Sequence, residues 1–385
     1  MVTRGIKVAL IHDWLTGMRG GEKCLEVFCE VFPDADIYTL LHCPKTVSPI
    51  IESHPIRTSF IQRLPGSARR YRYYLPLFPL AIESFDLSQY DLIVSSSHCV
   101  AKGVRVPEGV CHIAYLHTPM RYIWDQYESY FNKETASLPV RIAMQSVRPL
   151  LQQWDVASNK DVYAMMANSS YVAARIKRYY HRHADVVYPP VDFDAFSASS
   201  RDEGFYLMVT AFVPYKRVDL AILAFNQLEW PLKIIGTGPE ENRLKALAGP
   251  TIQFLDACSD QEIREAYATC RAVIFPGEED FGIVPLEAMA SGKQVIAYGK
   301  GGVLETVIPR NGVEASQGVS TGVFFFEQTP KALMDAVLYF EKYKDQSSPV
   351  EIRESVRRFC KERFKQEIHQ YISKKYQTFL ENSPP

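Results

Sequence analysis

Phe275–Pro276–Gly277–Glu278–Glu279–Asp280–Phe281–Gly282–Ile283–Val284–Pro285–Leu286–Glu287–Ala288–Met289–Ala290–Ser291–Gly292 changes character twice. It opens as the end of an apolar run from Ala272, passes three acids, and continues from Gly282 as an apolar helical pattern closed by a glycine. A buried strand that runs into an acidic loop and enters a helix at a glycine is one unit of a parallel α/β sheet. Working outward, short runs of the same kind lie at Phe205–Val209, Leu232–Ile235 and Thr251–Leu255, then at Gln294–Ala297 and Val323–Phe326. The segments between them are long enough for crossover helices. Upstream, Tyr188–Pro189–Pro190 and the polar stretch Ser197–Gly204 interrupt the rhythm. Before that break it runs through Ile6–Ile11, Ile37–Leu41, Asp91–Val94, His112–Leu116, Val162–Ala167 and Val186–Tyr188.

The pattern predicts an α/β protein of two doubly wound, Rossmann-like domains, residues 1–195 and 196–360. Such domains facing each other across a cleft would place a ligand at their strand C-terminal ends. From Glu351 to Leu380, apolar residues recur near a helical period, so one or two amphipathic helices are expected to close the chain, with the helix of residues 361–385 crossing back to the first domain. A length of 385 residues fits two domains. With 47% hydrophobic and 23% charged residues, disordered and fibrous classes are excluded. Lys and Arg number 43 against 44 acids, a net charge of −1, so no global field draws the chain to nucleic acid.

The eight cysteines show no CxxC pair and read as reduced, mostly buried thiols. No apolar run reaches the length of a membrane span, which predicts a cytoplasmic protein that is at most peripheral to a membrane.

Several loops carry residues suited to anionic and sugar ligands. The stretch Thr16–Lys23, with Gly20 and Gly21, lies between a strand and a helix, where backbone amides can receive a phosphate; its spacing suits a plain turn equally well. Pro214–Tyr215–Lys216–Arg217 puts two cations after a strand, as a diphosphate clamp or as a solvated pair. Gly236 and Gly238 mark a third glycine-rich strand exit. Glu279 and Glu287 stand eight positions apart, on the acidic loop and within the helix that follows. Carboxylates there can accept sugar hydroxyls while free helix amides hold phosphate oxygens; alternatively the acids only complement the helix dipole.

Asp192–Phe193–Asp194 resembles a metal-binding D-x-D string but is better read as turn capping, and His181–Arg182–His183 as a solvated helix end. Ser53–Ile82 holds Arg57, Arg63, Arg69, Arg70 and Arg72 without an acid, followed by Tyr73 and an apolar run. That combination suits a membrane surface and the phosphates of a lipid-linked acceptor, against ordinary core with solvated arginines.

In combination, the Glu279-x7-Glu287 element, the Lys216 loop and the Gly20–Gly21 loop resemble the retaining glycosyltransferases of family 4, which have the GT-B fold. The phrases His12–Asp13–Trp14–Leu15–Thr16–Gly17, His117–Thr118–Pro119–Met120–Arg121–Tyr122 and Pro214–Tyr215–Lys216–Arg217 resemble its bacterial mannosyltransferase branch of O-antigen and exopolysaccharide synthesis. The resemblance runs over residues 6–340.

It implies that Glu279 binds donor-sugar hydroxyls, Glu287 the ribose, and Lys216 the diphosphate, helped by the amides of Phe281, Gly282, Ile283 and Val284 and by the Gly20–Gly21 loop of the other domain, and that His117 reaches the transferred sugar. It further implies a nucleotide-sugar donor, GDP-mannose above all, a lipid-linked saccharide acceptor and no metal cofactor. One departure stands out: the family arginine five residues before the clamp lysine is Ala211 here, to be compensated by Arg217, Lys300 or Arg121. Two other functions stay open, a nucleotide-sugar epimerase and a non-catalytic sugar-nucleotide or lipid-binding homologue. The lack of GxGxxG argues against a dinucleotide oxidoreductase.

Overall fold

The computed structural model of the chain describes residues 5–133, 136–255, 258–312 and 318–382. It divides into two compact units, the residues up to Pro190 together with those from Lys361, and Val191–Cys360.

The first unit is built on a parallel sheet of β1 (Val8–His12), β2 (Asp36–Thr39), β3 (Ile56–Thr58), β4 (Leu92–Ser97), β5 (Cys111–Leu116), β6 (Ala164–Ala167) and β7 (Asp185–Val186), in the order β3-β2-β1-β4-β5-β6-β7. Strands β1, β4 and β5 are buried along their whole length, which is why their apolar residues follow one another and do not alternate, with the polar His12, Ser95–Ser97 and His112 buried among them. Helix α1 (Gly20–Val31) packs Leu25 and Phe28 onto one face of the sheet. The helices α2 (Phe78–Glu83) and α3 (Leu138–Ala157) share a second cluster that includes Ile11, Phe78, Met144 and Leu151. Ser169 caps α4 (Ser170–Tyr180) by accepting from the Val172 amide at 3.0 Å.

The second unit holds the parallel sheet β8 (Tyr206–Val209), β9 (Leu232–Ile235), β10 (Ile252–Leu255), β11 (Val273–Phe275), β12 (Val295–Tyr298) and β13 (Gly322–Phe325), ordered β10-β9-β8-β11-β12-β13. Helices α5 (Val218–Leu228), α6 (Asp260–Thr269), α7 (Ile283–Ala290) and α8 (Pro330–Tyr343) lie in the connections. Phe225, Val337 and Phe340 are among the side chains that fill the core against β8 and β9.

Helix α9 (Lys361–Asn382) belongs to the first unit. Phe364, Ile368, Ile372 and Tyr376, each four residues from the next, are buried with Phe28 and Tyr115. Lys361 pairs with Glu26 at 3.0 Å and Glu30 at 2.6 Å, and Lys365 with Glu30 at 2.9 Å, so α1 and α9 are also joined by charge.

Two local features differ from the sequence reading. Strand β3 was not foreseen: it has three residues, follows Pro55, and exposes Arg57, so it carries no apolar run. Gly20 and Gly21 form the first turn of α1 and not a loop. The periodic tail forms two helices, Pro349–Ser355 and α9, joined by a tight turn Arg357–Phe359, within the one or two expected.

Candidate active site

In a doubly wound sheet a crevice opens beyond the strand C-termini where the strand order reverses. In Val191–Cys360 that point lies between β8 and β11. The loops leaving these strands carry Lys216 and Glu279, whose half-buried side chains form an ion pair. Gly277 lets the loops meet, since a Cβ there would stand 2.8 Å from the Tyr215 carbonyl oxygen and 3.0 Å from Lys216 Cα. A third loop, after β12, holds Glu279 from the other side: the Gly302 amide donates to its carbonyl at 2.9 Å, and Lys300 pairs with Glu278 at 3.0 Å. That approach needs Gly301, which has φ +87° and whose Cβ would overlap the Glu279 carbonyl.

Helix α7 starts directly after this loop, at Gly282 with φ +88°. Its first-turn amides, including those of Ile283 and Val284, have no partners within the helix and stand at its positive end. Phe281 packs edge-on to Phe359 with ring centroids 5.8 Å apart, which anchors the start of the helix. Glu287, one turn on, accepts from the Tyr267 hydroxyl at 3.1 Å; burial, reinforced by this carboxylate, pushes the Tyr267 phenol well above its ordinary range. Gly236 and Gly238 leave β9 beside the β8 exit, where Phe212 donates to the Thr237 carbonyl at 2.9 Å. One edge of the sheet therefore gathers a cation, two carboxylates and an open helix N-terminus, the groups that a sugar diphosphate requires. At Ala211 no cation is present. Arg217 is engaged by Asp219 at 3.2 Å and Gln328 at 3.4 Å, and Lys300 by Glu278 at 3.0 Å, and the loops of both reach that of Glu279.

The first unit repeats the arrangement. Its strand order reverses between β1 and β4, and the residues there are His12, Asp13, Ser96 and His98, with His117 at the exit of β5. Buried Asp13 accepts four backbone amides, from His98 (2.6 Å), Cys99 (3.0 Å), Val100 (2.6 Å) and Ala101 (2.8 Å), and lies 3.0 Å from His98 Nδ1. It fixes the β4 exit as a tight turn.

A chain of polar groups runs alongside. His12 Nε2 is 3.8 Å from Glu22 Oε1, His12 Nδ1 is 3.2 Å from Ser96 Oγ, and Ser96 Oγ is 2.9 Å from His117 Nε2. The carboxylate favours a proton on His12 Nε2. His12 Nδ1 then accepts from Ser96, and Ser96 accepts from His117 Nε2–H, so His117 keeps Nδ1 as an acceptor. Burial would raise the Glu22 carboxyl, but His12 and His98 outweigh it and hold it below the ordinary range. Gly20 and Gly21 open α1 over this cluster, and a Cβ on Gly21 would lie 3.4 Å from His12 Cε1.

Burial pushes His117 well below its ordinary value and His112 down to about 3, so both are neutral at neutral pH. A histidine depressed in the folded state binds its proton more readily when unfolded, near pH 6.5. The stability it contributes is complete above that value and is lost as pH falls below it, with a slope of about 1.4 kcal/mol per pH unit for each group. The melting temperature is thus expected to fall steadily between about pH 6.5 and pH 5, and His112→Asn to flatten the fall. A melting curve by circular dichroism that is level over this range would contradict the neutral buried histidines.

Residues 192–359 match the model of the family described as glycosyl transferases group 1. This segment is a group 1 glycosyltransferase domain. An uncharacterised glycosyltransferase of Methanocaldococcus jannaschii is 31% identical to the chain over 145 residues, 36% of this chain and 41% of that one. The α-1,3/1,6-mannosyltransferase ALG2 of Mus musculus is 24% identical over 251 residues, 54% of this chain and 58% of that one. The chain spans about half the length of these curated relatives. Anabaena HepE, solved in complex with UDP-glucose, superposes with a TM-score of 0.67 over 95% of this chain and 99% of its own, at 17% identity. The chain has the GT-B fold.

Within the group 1 domain the structure brings together Lys216, Glu279, Gly282, Ile283, Val284 and Glu287 around the β8 and β11 exits. Asp192 supplies no side-chain cap to its turn, contrary to the expected capping role, and its backbone carbonyl accepts from Ala195 instead. In the first unit, His181 ends α4 in the left-handed conformation, but Arg182 is not a solvated end: it donates to the carbonyls of Asn159 and Val162, both at 2.6 Å. Arg69, Arg70, Arg72 and Tyr73 are exposed, while Leu75, Phe78, Ala81 and Ile82 beside them are core. Sequence reasoning assigned no role to His12, Asp13, Glu22, Ser96 or His98. The one available signal was the polar end of an apolar strand, Ser95–Ser96–Ser97–His98, which has no reason to be buried unless it is paired.

Proposed function

We propose that the protein is a retaining glycosyltransferase that moves a hexose, mannose from GDP-mannose, to a hydroxyl of a saccharide carried on a polyprenyl diphosphate lipid, in cell-surface polysaccharide synthesis. The observation that carries the reading is the Lys216–Glu279 pair at the β8–β11 reversal, beside the open N-terminus of α7. A nucleotide-sugar donor is supported by the UDP-glucose bound to the Anabaena protein of the same fold, and mannose by the relative ALG2.

In this reading Lys216 and the α7 amides neutralise the diphosphate, Glu287 takes the ribose and Glu279 the sugar hydroxyls. The acceptor hydroxyl oxygen bonds to the anomeric carbon as the carbon–oxygen bond to the diphosphate breaks, and the proton passes to the departing diphosphate. No protein nucleophile is needed; placement and anion stabilisation supply the rate. His117 Nδ1, kept unprotonated through Ser96, accepts a hydroxyl of the transferred sugar. Arg69, Arg70, Arg72 and Tyr73 face the lipid-linked acceptor. No metal takes part.

The test is thermal stabilisation by GDP-, UDP-, ADP- and dTDP-sugars, with and without EDTA. A donor at a hundred times its dissociation constant adds about 2.7 kcal/mol. Stabilisation by GDP-mannose that survives EDTA, followed by mannose transfer to a polyprenyl-linked saccharide, is expected. Stabilisation only by another nucleotide sugar would overturn the donor assignment, and loss with EDTA the metal-independent chemistry. Ala211 favours a second reading, a sugar-nucleotide-binding homologue without turnover; stabilisation with no transfer to any acceptor would support it.

A further inference from the structure

Helix α3 buries Met144 and Leu151 but, unlike an ordinary surface helix, carries no charge on its outward face. Its outward positions 138, 139, 142, 143, 145, 146, 149, 150, 153, 156 and 157 form one stripe and carry no charge. Leu138 is 62% exposed, Ile142 56%, Leu150 65% and Val156 37%. The charged residues of the helix lie elsewhere: Asp155 is fully buried against Lys102 at 2.9 Å, and Arg141 and Arg148 flank the stripe. In the same unit α9 shows the usual pattern, turning Glu362, Gln366, Glu367, Gln370 and Lys374 outward. An uncharged, largely apolar stripe, broken only by Gln145, Ser146 and Gln153, on an otherwise well-paired unit marks an interaction surface.

The charge around the stripe identifies the partner. Helix α3 packs on the same core cluster as the segment Phe60–Ile82, and Trp154 of α3 donates to Glu83 at the end of α2. Residues 60–83 and 138–157 together contain six arginines, Arg63, Arg69, Arg70, Arg72, Arg141 and Arg148, and two acids, Asp155, buried against Lys102, and Glu83, paired with Arg105 at 3.3 Å. In a chain of net charge −1 this is a local positive island. Tyr73 at 73% and Leu80 at 62% exposure add an aromatic and an apolar side chain on the same side of the sheet.

Apolar side chains flanked by an excess of arginines, with the acids Asp155 and Glu83 paired to Lys102 and Arg105, are complementary to an anionic lipid surface: the aliphatic groups enter the acyl boundary while guanidinium groups stay with the phosphates. A protein partner of opposite charge would need no bare leucine stripe, and a second copy of the chain would set like charges against each other. We propose that α3 is the element with which this protein seats on an anionic bilayer, lying in the interface plane with Leu138, Ile142 and Leu150 inserted. No helix among the described residues is long and apolar enough to cross a membrane, so the contact is interfacial.

The inference deepens the reading of a lipid-linked acceptor but is tested without donor or acceptor, so either can fail alone. The full chain is sedimented with vesicles of phosphatidylcholine and with vesicles that also contain phosphatidylglycerol. Binding to the anionic vesicles, weakened by salt, is expected, and Leu138→Gln, Ile142→Gln and Leu150→Gln combined should lower the partition by at least about tenfold with an unchanged melting temperature. A Leu150→Trp variant should shift its emission to the blue on anionic vesicles. Equal pelleting of the triple variant, no pelleting of the wild type, or self-association that the triple variant abolishes would each overturn the proposal.

Discussion

Glu279→Ala is expected to reduce sugar transfer by about 10² to 10³ while leaving binding of the free nucleoside diphosphate as strong as before or stronger. The asymmetry follows from the ion pair. Without a ligand the Lys216 ammonium is neutralised by Glu279, so a diphosphate arriving at Lys216 has to compete with a carboxylate already in place. Removing that carboxylate frees the cation for the diphosphate but deletes the acceptor for the sugar hydroxyls. Lys216→Ala should behave differently and weaken nucleoside diphosphate binding and transfer together, because Glu278, Glu279 and Asp280 then face the anion with only Lys300 among them.

The double variant is the sharper comparison. Two groups that act as a pair give effects that do not add, so Lys216→Ala/Glu279→Ala should cost little more than Lys216→Ala alone. Calorimetric titration with the nucleoside diphosphate and initial rates of transfer read the two quantities separately. Equal weakening of diphosphate binding by both single variants would mean that Glu279 does not compete for Lys216, and wild-type transfer by either would remove the pair from the site.

This pairing also shows where the sequence stops being informative. The strand runs were legible because a strand buried on both faces is mostly apolar, as β1, β5 and β11 are. Strand β3 was not, because a three-residue edge strand needs only its backbone: Arg57 on it pairs with Asp36 of β2 at 3.1 Å, and Ile56 is its one apolar residue. Lys216 and Glu279 were each visible as residue types suited to anions and hydroxyls. Their contact was not visible, since it depends on β8 and β11 being neighbours although β9 and β10 intervene in the chain. The histidine cluster was hidden for the same reason: His12 and Ser96 meet only because β4 returns beside β1 after β2 and β3 have been placed. Glu22, read alone, is an ordinary acid in the first turn of a helix, and only the approach allowed by Gly21 makes it the partner of His12.

Asp13→Ala is expected to lower stability by about 3–5 kcal/mol, the scale for orphaning buried groups that shared one carboxylate. In a unit of this size that corresponds to a fall of roughly 10 °C or more in melting temperature. Four amides and His98 Nδ1 converge on the two carboxylate oxygens at 2.6–3.0 Å, with Asp13 fully buried. Alanine leaves all of them without an acceptor and without water. An asparagine in its place would fit the space but not the chemistry, because an amide group offers one acceptor oxygen and turns an NH₂ toward donors. Asp13→Asn should therefore be nearly as damaging as Asp13→Ala, whereas a residue that merely filled volume would tolerate asparagine. The consequence reaches the site, since the turn that Asp13 holds is the one that presents Ser96 to His117. Residual folded Asp13→Asn protein should show exchange broadening of the His117 ring signals in NMR spectra where the wild type shows a single sharp set. A melting temperature for Asp13→Asn within about 2 °C of wild type, less than about 1 kcal/mol for a unit of this size, would show that the four amides are satisfied some other way and that the β4 exit is not built on this carboxylate.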